Sequence, residues 1–271
     1  MSGILNFNVS ASDIIVYSTS SRGNQPKWLK DSNYVKADGL GYEGLAECIS
    51  SNFAKHTNIE QFMDITMYYP CTINHENEER TGAYCKNFLN AGESVVSLWS
   101  LLINNGFNLE SKPYSNMSTV SKIESVVNKV VEVTGFTSFP QYLTALLEFD
   151  SVIYNDDRHF RNIALIEKDG KYNGSPLFDN GAALFSDCFQ DYPIEKRISE
   201  CRKKVRAKPF SRDFEKQVKA CQELYGNQLK VTLTSRDKIT WLQEYENIYK
   251  SEYINRAISA LKLGLVEWEN N

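Results

Sequence analysis

The chain has 271 residues, a formal net charge of −4 at pH 7 and a sequence pI of about 5.6. Hydrophobic residues make up 42% of it and charged residues 24%, proportions that exclude a chain disordered throughout. The acidic balance excludes a global preference for nucleic acid or anionic membrane, so nucleic-acid contact by this chain on its own is not expected.

The first ninety residues predict a small, strand-rich unit. A β-branched apolar run at 13–18, a shorter run at 34–36 and an apolar, aromatic run at 65–73 favour strands. From Gly41 the apolar residues keep helical spacing, which predicts a helix with Glu43 and Glu47 one turn apart on a common face. Residues 82–89 are predicted to connect this unit to the next.

The rest of the chain predicts a mostly helical unit around one hairpin. The apolar runs 163–166 and 175–178 favour two strands joined through Asp169-Gly170, a strong tight-turn signal. The predicted fold is α+β, with residues 1–90 as a small β-rich lobe and residues 91–271 as a larger helical lobe. Helices are expected at 92–104, at 118–134, from Ser138 with Pro140 in the first turn, at 211–225, and as a packed pair within 235–265.

The cysteines are scattered without a C-x-x-C pair, and no secretory signal peptide is recognised before them. We therefore expect reduced thiols in a cytosolic protein rather than disulfides or a zinc site. Since no apolar run approaches the roughly 20 residues of a membrane-spanning helix, no membrane anchor is expected either. The six residues are Cys48, Cys71, Cys85, Cys188, Cys201 and Cys221.

The most informative stretch sets two acids and an amide at fixed spacing. Asp157 precedes Asn162 by the interval of the protein-kinase catalytic loop, in which the Asp accepts a hydroxyl proton and the Asn holds magnesium. The predicted hairpin returns Asp179 beside Asn162 as a second metal-binding residue. Because Mg²⁺ prefers oxygen ligands, this order predicts an ATP- and magnesium-dependent phosphotransferase with Asp157 as its catalytic residue.

Lys36 ends a predicted strand, and Glu47 follows in the predicted helix. Protein kinases hold the α- and β-phosphates of ATP with a strand lysine that is paired to a helix glutamate. Taken alone, the pair is explained more simply as an exposed lysine and a solvated helix charge. Together with the two acids and the amide in the same chain order, an ATP-binding role is favoured, with Glu43 competing for the pairing.

The segment 20–27 precedes Lys36 and is rich in small and polar residues. Backbone N–H groups around Gly23 would be able to cradle phosphate, because glycine allows a close approach. The segment contains neither G-x-x-x-x-G-K-[ST] nor G-x-G-x-x-G, so an ordinary polar hairpin loop is an equal alternative.

Other polar residues flank these motifs. For His159 a role in supporting the catalytic loop is favoured over an imidazole base, since phosphoryl transfer depends on positioning and charge. Arg158 is a second candidate for supporting that loop, and Arg158 and Arg161 are otherwise expected to contact phosphate, to brace Asp156 or to stay solvated. A basic cluster downstream would attract an acidic protein or RNA, although a solvated helix face is the more usual explanation. It comprises Lys196, Arg197, Arg202, Lys203, Lys204, Arg206 and Lys208.

On these residues the chain resembles the HipA-like serine/threonine kinases, in particular their compact CtkA-like and HipT-like forms. Residues 155–162 are similar to the family's D-x-H-x-x-N loop, and Phe178-Asp179 is similar to its metal-binding acid. The pattern Ser20-x-x-Gly23-x-Gln25-x-Lys27 looks like the family's phosphate-loop signature, and residues 45–55 look like its αC segment.

The resemblance implies a bilobal protein-kinase-like fold that uses ATP and Mg²⁺ to modify a protein substrate on serine or threonine. It implies that Ser20, Gly23, Gln25 and Lys27 contact ATP, and that Ser20 is the candidate site of an inhibitory autophosphorylation. The αC likeness favours Glu47 as the partner of Lys36.

The resemblance also bears on partners and location. The chain is shorter than full-length HipA and opens almost directly at the phosphate-loop strand, which implies a small antitoxin or a protein like the missing N-terminal subdomain as a further partner. The implied location is the cytoplasm or, for a secreted effector, the cytosol of another cell.

Two alternatives stay open on sequence alone. Phosphoinositide and small-molecule kinases also combine a D-R-H-x-x-N loop with a later Asp, although one basic cluster is thin support for a membrane-facing enzyme. A nucleotide-binding pseudokinase would act as an interaction module without transfer. The filled catalytic positions argue against that second alternative.

Overall fold

The computed structural model describes residues 4–13 and 26–270. The amino-terminal strands are β1 (Leu5–Asn8), β2 (Lys27–Lys30), β3 (Asn33–Ala37), β4 (Tyr69–His75) and β5 (Glu78–Lys86). They form one five-stranded sheet in the order β1-β4-β5-β3-β2, with β1 parallel to β4 and the other neighbours antiparallel. The strand predicted at 34–36 is confirmed as part of β3, whereas most of the run 13–18 lies outside the described residues.

The longest strand, β5, occupies residues that were predicted to connect two lobes. Its glycine, Gly82, lies opposite Ala37 on one side and Cys71 on the other. A β-carbon on Gly82 would come within 2.1 Å of the carbonyl oxygen of Lys36. The glycine therefore marks a close approach of two strands and not a chain break, and the predicted connection is wrong for residues 82–86, which belong to β5.

One helix, α1 (Glu43–Ala54), packs against this sheet, and its apolar residues such as Phe53 are fully buried, as their helical spacing predicts. A separate apolar cluster, which includes Trp28 and Val35, is buried within the strands. Successive side chains of a strand point to opposite faces, so β3 sends Val35 into that cluster and Lys36 towards α1.

From residue 94 onward the chain is mainly helical and contains a three-stranded antiparallel sheet. Its strands are β6 (Ser94–Ser97), β7 (Ala164–Lys168) and β8 (Lys171–Gly174), and its helices are α2 (Leu98–Asn104), α3 (Lys112–Ser115), α4 (Thr119–Thr134), α5 (Phe139–Ile153), α6 (Ile198–Lys204), α7 (Phe214–Tyr225) and α8 (Ser251–Glu269). In the described part of the chain, no helix is both long enough and apolar enough to cross a membrane.

Several predicted helices are confirmed, and two segments differ. Ser118 caps α4 by accepting from the N–H of Ser121, and Gly135 ends the helix in the left-handed conformation. Residues 92–104 do not form one helix, because β6 pairs with β7 before α2 begins. Of the pair expected within 235–265, the second helix is α8, whereas residues 243–245 form a short 3₁₀ turn.

The tight turn at Asp169-Gly170 is confirmed. Both residues have positive φ angles, 52° and 76°, and Lys168 pairs with Lys171 directly across the turn. Such a two-residue turn makes the second strand begin at once. The second strand is therefore β8, at 171–174, and not the predicted 175–178.

Contacts join the five-stranded sheet and α1 to the helical half. The rings of Phe53 and Phe149 stack with centroids 5.3 Å apart, and Gly41 pairs with Asp187 in an isolated bridge. The hydroxyl of Tyr249 donates to the carbonyl oxygen of Gly82 at 3.1 Å. The division at residue 90 stays a prediction.

Candidate active site

The loop after α5 is folded tightly on itself. The amide of Asn155 donates to Asp150 at 3.1 Å, and its oxygen accepts from the N–H of Asp157 at 3.1 Å. The carbonyl oxygen of Asp157 in turn accepts from the side-chain amide of Asn162 at 3.0 Å and from the N–H of His159 at 2.8 Å. The five-residue spacing thus brings Asp157 and Asn162 together.

Arg158 holds this loop from inside the protein, where only 1% of its surface is exposed. Its guanidinium makes a two-pronged ion pair with Asp150, at 2.8 and 3.1 Å, and donates to the carbonyl oxygens of Asn162 and Phe178, both at 2.9 Å. It also donates to the side chain of Asn180 at 2.6 Å. One cation therefore ties the catalytic-loop segment to the chain around Asp179.

The charge on Arg158 is maintained although the residue is buried. Burial disfavours the cation, but the Asp150 carboxylate outweighs it and raises the pKa of Arg158 above its ordinary value. Asp150 is a residue that the sequence analysis missed. Its only signal was an acid in the last turn of an apolar helix.

Asp179 lies where two lysines converge. Its Oδ1 accepts from Lys36 Nζ at 2.7 Å and from Lys27 Nζ at 3.3 Å. These two lysines face each other across β2 and β3, an arrangement that would be repulsive without an anion between them. Burial opposes ionisation of Asp179, but the two ammonium groups outweigh it and hold its pKa well below the usual range.

Lys36 is paired to Glu47 and not to Glu43. Its ammonium contacts Glu47 Oε1, while Glu47 Oε2 accepts from the N–H of Asn180 at 2.8 Å. Burial disfavours the charged ammonium, but Asp179 and Glu47 raise the pKa of Lys36 well above its ordinary value. Glu43 instead accepts from the backbone N–H of Leu40 at 2.6 Å.

Asp157 meets a lysine that comes from much later in the chain. Lys208 Nζ donates to its Oδ1 at 2.8 Å, and His159 Nε2 lies 3.9 Å from its Oδ2. Burial lowers the pKa of His159, which favours the neutral ring at pH 7. Among the described residues neither ring nitrogen of His159 has a hydrogen-bond partner.

Two other residues that flank the site contact aromatic side chains. Asp156 accepts from the hydroxyl of Tyr192, whereas the guanidinium of Arg158 pairs with Asp150. Arg161 lies over the ring of Trp99, at 4.4 Å from the centroid.

The basic cluster is divided between several sites. Arg202 pairs with Glu267 at 2.8 Å, and Lys204 pairs with Asp191 at 2.7 Å. Lys208 instead faces Asp157, as described above.

Four of the expected ATP contacts belong to the segment 20–27. Lys27 is described and lies at Asp179, whereas Ser20, Gly23 and Gln25 lie outside the described residues.

The residues present fit a magnesium ion with nucleotide phosphates. One carboxylate oxygen of Asp179 already attracts two cationic groups, and the amide nitrogen of Asn162 is used by Asp157, which orients the amide oxygen away from that bond. In the described residues no group of three or more His, Cys, Asp or Glu side chains forms a metal cluster. A carboxylate with an amide oxygen is the donor set of an ion that completes its coordination with phosphate and water.

Known proteins resemble the chain in fold. No protein-family model and no curated protein matches it. The crystal structure of the Helicobacter pylori proinflammatory kinase CtkA matches 98% of this chain and 95% of its own with a TM-score of 0.64, at 14% sequence identity. The chain therefore has the fold of this kinase.

The kinase-like fold confirms the predicted bilobal α+β architecture. HipA of Shewanella oneidensis MR-1, solved with HipB and its operator DNA, matches over 92% of this chain and 66% of its own, with a TM-score of 0.43 and 14% identity. At 14% identity the likeness to CtkA shows the fold and not the activity.

Proposed function

We propose that this protein is an ATP- and magnesium-dependent protein kinase that modifies serine or threonine. The observation that carries the proposal is the meeting of Lys27, Lys36 and Asp179 on the sheet side of the site, with Asp157 and Asn162 tied to them through Arg158. Opposed lysines with a metal-binding carboxylate are what bound phosphates and a divalent cation require.

Each residue has a distinct role in the proposed reaction. Lys36, positioned by Glu47, and Lys27 neutralise phosphate charge, while Asn162 and Asp179 hold magnesium. The bound ion supplies charge neutralisation to the β- and γ-phosphates. These groups act by position and charge, which is the main source of catalysis in phosphoryl transfer.

Asp157 orients the substrate hydroxyl and accepts its proton as the oxygen bonds to the γ-phosphorus and ADP leaves. Lys208 keeps the Asp157 carboxylate in place at 2.8 Å and brings a positive charge to the side of the site where the substrate enters. Its contact with Asp157 spans 51 residues, so no local motif announces it.

By resemblance to the HipA-like family, Ser20 is the proposed site of autophosphorylation. A small antitoxin-like partner and a cytoplasmic location also remain proposals that rest on the same resemblance.

The test is to incubate purified protein with radiolabelled ATP and magnesium, and to map the labelled peptide. Wild type is compared with Asp157→Ala and Ser20→Ala. We expect label on the peptide that contains Ser20, lost in both variants. Wild-type protein that binds ATP without any transfer, to itself or to a protein substrate, would contradict the proposal and favour a pseudokinase. Transfer to phosphoinositide vesicles without transfer to protein would favour a lipid kinase.

A further inference from the structure

A basic groove opens beside Asp157, between the first turn of α4 and the segment 207–212. Its volume is about 450 Å³. Four cationic side chains line it, and none of its lining residues, all within the described part of the chain, is an acid. This is notable in a protein with a net charge of −4. The four cationic residues are Lys122, Lys208, Arg212 and Lys216. The cavity that they line is the basic groove.

The segment that carries Lys208 and Arg212 is held rigidly. Gln217, which is 1% exposed, accepts from the N–H of Phe210 at 2.9 Å and donates to the carbonyl oxygen of Lys208 at 2.9 Å. The ring of Phe210 meets Phe160 of the catalytic loop edge-on at 5.3 Å. The basic groove is thus fixed relative to Asp157, as a substrate subsite must be.

The cations of the groove differ in their surroundings. Lys208 is engaged by Asp157, and Lys122 lies over the ring of Tyr114 at 5.7 Å. Arg212 and Lys216 are exposed on the groove's rim. The neighbouring acids of α7 are used elsewhere, since Asp213 caps the helix and Glu215 pairs with Lys219.

We propose that the basic groove binds acidic side chains that flank the acceptor serine or threonine of the protein substrate. This inference rests on the proposed function and names the substrate class of that site. Complementary charge beside the acceptor would select the substrate and raise the rate of encounter.

A polypeptide fits the groove better than RNA does. Recognition of single-stranded RNA stacks bases on exposed aromatic rings, and the aromatic residue in the groove lining, Phe210, is only 4% exposed. A cavity of about 450 Å³ holds a few side chains rather than a helix of nucleic acid.

The first experiment measures binding without any transfer. A fluorescein-labelled peptide with one serine between glutamates is titrated with protein by fluorescence anisotropy, next to a peptide with glutamines in their place. We expect wild type to bind the glutamate peptide about tenfold more tightly, and the variant Lys122→Gln/Arg212→Gln/Lys216→Gln to lose that preference. The preference should shrink at about 0.5 M salt.

The matched control neutralises three exposed lysines outside the groove, Lys171, Lys203 and Lys238, and should bind like wild type. Circular dichroism checks that both triple variants fold; if the groove variant does not, Arg212→Gln alone should show a twofold to threefold loss. Equal binding of the two peptides by wild type, or unchanged binding by the folded groove variant, overturns the inference. So does tighter, groove-dependent binding of a single-stranded RNA, which would assign the groove to RNA.

The second experiment separates this inference from the kinase proposal. With radiolabelled ATP, we expect the groove variant to raise KM for the glutamate peptide about tenfold and leave kcat and self-labelling unchanged, because Asp157, Lys208 and Asp179 are intact. Peptide binding without label contradicts the kinase proposal alone. Equal labelling of the glutamate peptide and the glutamine peptide contradicts the inference about the groove alone.

Discussion

Helix α1 carries two glutamates one turn apart, and the charged groups beside them have opposite signs. Glu47 is completely buried against the ammonium of Lys36, and it belongs to a network with Asp179. Glu43, 8% exposed, lies near a second acid, Asp38. Burial is similar at both positions, so the difference between them is in the sign of the neighbouring charge.

The pKa values of Glu43, Asp38 and Asp179 depend on the same kinds of neighbouring charge. Burial and the neighbouring Asp38 raise the pKa of Glu43 to about 7, and burial raises that of Asp38 to about 6 even though Thr81 and the N–H of Gly44 donate to it at 2.6 Å. For Asp179, two lysines reverse the effect of burial. With hydrogen bonds alone, a buried carboxylate has a pKa near neutral pH. Neighbouring cations lower the pKa, so the carboxylate stays ionised and can bind a metal.

The largest effect is expected at Asp179. Asp179→Asn keeps the shape of the side chain but removes the charge, so phosphoryl transfer should fall by roughly 10³-fold or more. Both Asp179 and the exposed Asp169 have positive φ angles, 59° and 52°, which asparagine tolerates. Asp169→Asn is therefore a matched control that should transfer normally. Near-normal labelling by Asp179→Asn in the radiolabel assay would falsify its assignment.

Arg158 is the cation beside a further buried carboxylate, Asp150, whose pKa burial raises although the guanidinium opposes this. Arg158→Lys keeps the cation but loses the two-pronged pairing and leaves the carbonyl oxygens of Asn162 and Phe178 without their donor. The free energy of unfolding should fall by about 3 kcal/mol. Urea denaturation measures it, with Arg161→Lys as the surface control, which should change by less than about 0.5 kcal/mol. Equal losses in both variants would contradict the role given to Arg158.

The two glutamates of α1 provide a direct pair of variants. Glu47→Gln removes the anion that positions Lys36, so transfer should fall by roughly 10- to 100-fold. Glu43→Gln still offers an oxygen to the N–H of Leu40, and its transfer at pH 7 should stay within about twofold of wild type. Initial rates with saturating ATP measure both. If Glu43→Gln is the more damaged enzyme, the pairing in this structure is not the active one.

Local spacing predicted the proximity of some of these residues, while their roles remain proposals. The interval from Asp157 to Asn162 fits within one loop, and a two-residue turn signals the hairpin that follows it, so short-range patterns were enough to predict these two local contacts. The choice of Glu47 over Glu43 came from the family resemblance, and in the structure Glu47 is the one that contacts Lys36.

The sequence patterns did not predict contacts between residues that are far apart along the chain. Lys208 reaches Asp157 across 51 residues, and β6 forms because β7, about 70 residues later, is beside it. Gly82 has a similar origin, since its need for glycine arises from the backbone of β3 and not from its neighbours in sequence. Hydrophobic periodicity and turn signals do not identify partners that are far apart along the chain.

The smallest effect tests the acid pair through pH. Because the pKa of Glu43 is raised from 4.5 to about 7 in the folded protein, the folded state binds more protons than the unfolded state between these values, and the free energy of unfolding falls as pH rises through that range. Glutamine does not titrate, so Glu43→Gln should lack this part of the loss and exceed wild type by about 2 kcal/mol more at pH 8 than at pH 5.5. Urea denaturation at both pH values measures the difference, with the exposed Glu110→Gln as control. A difference that stays constant with pH would mean that folding does not shift the pKa of Glu43, and would contradict the effect assigned to burial and Asp38.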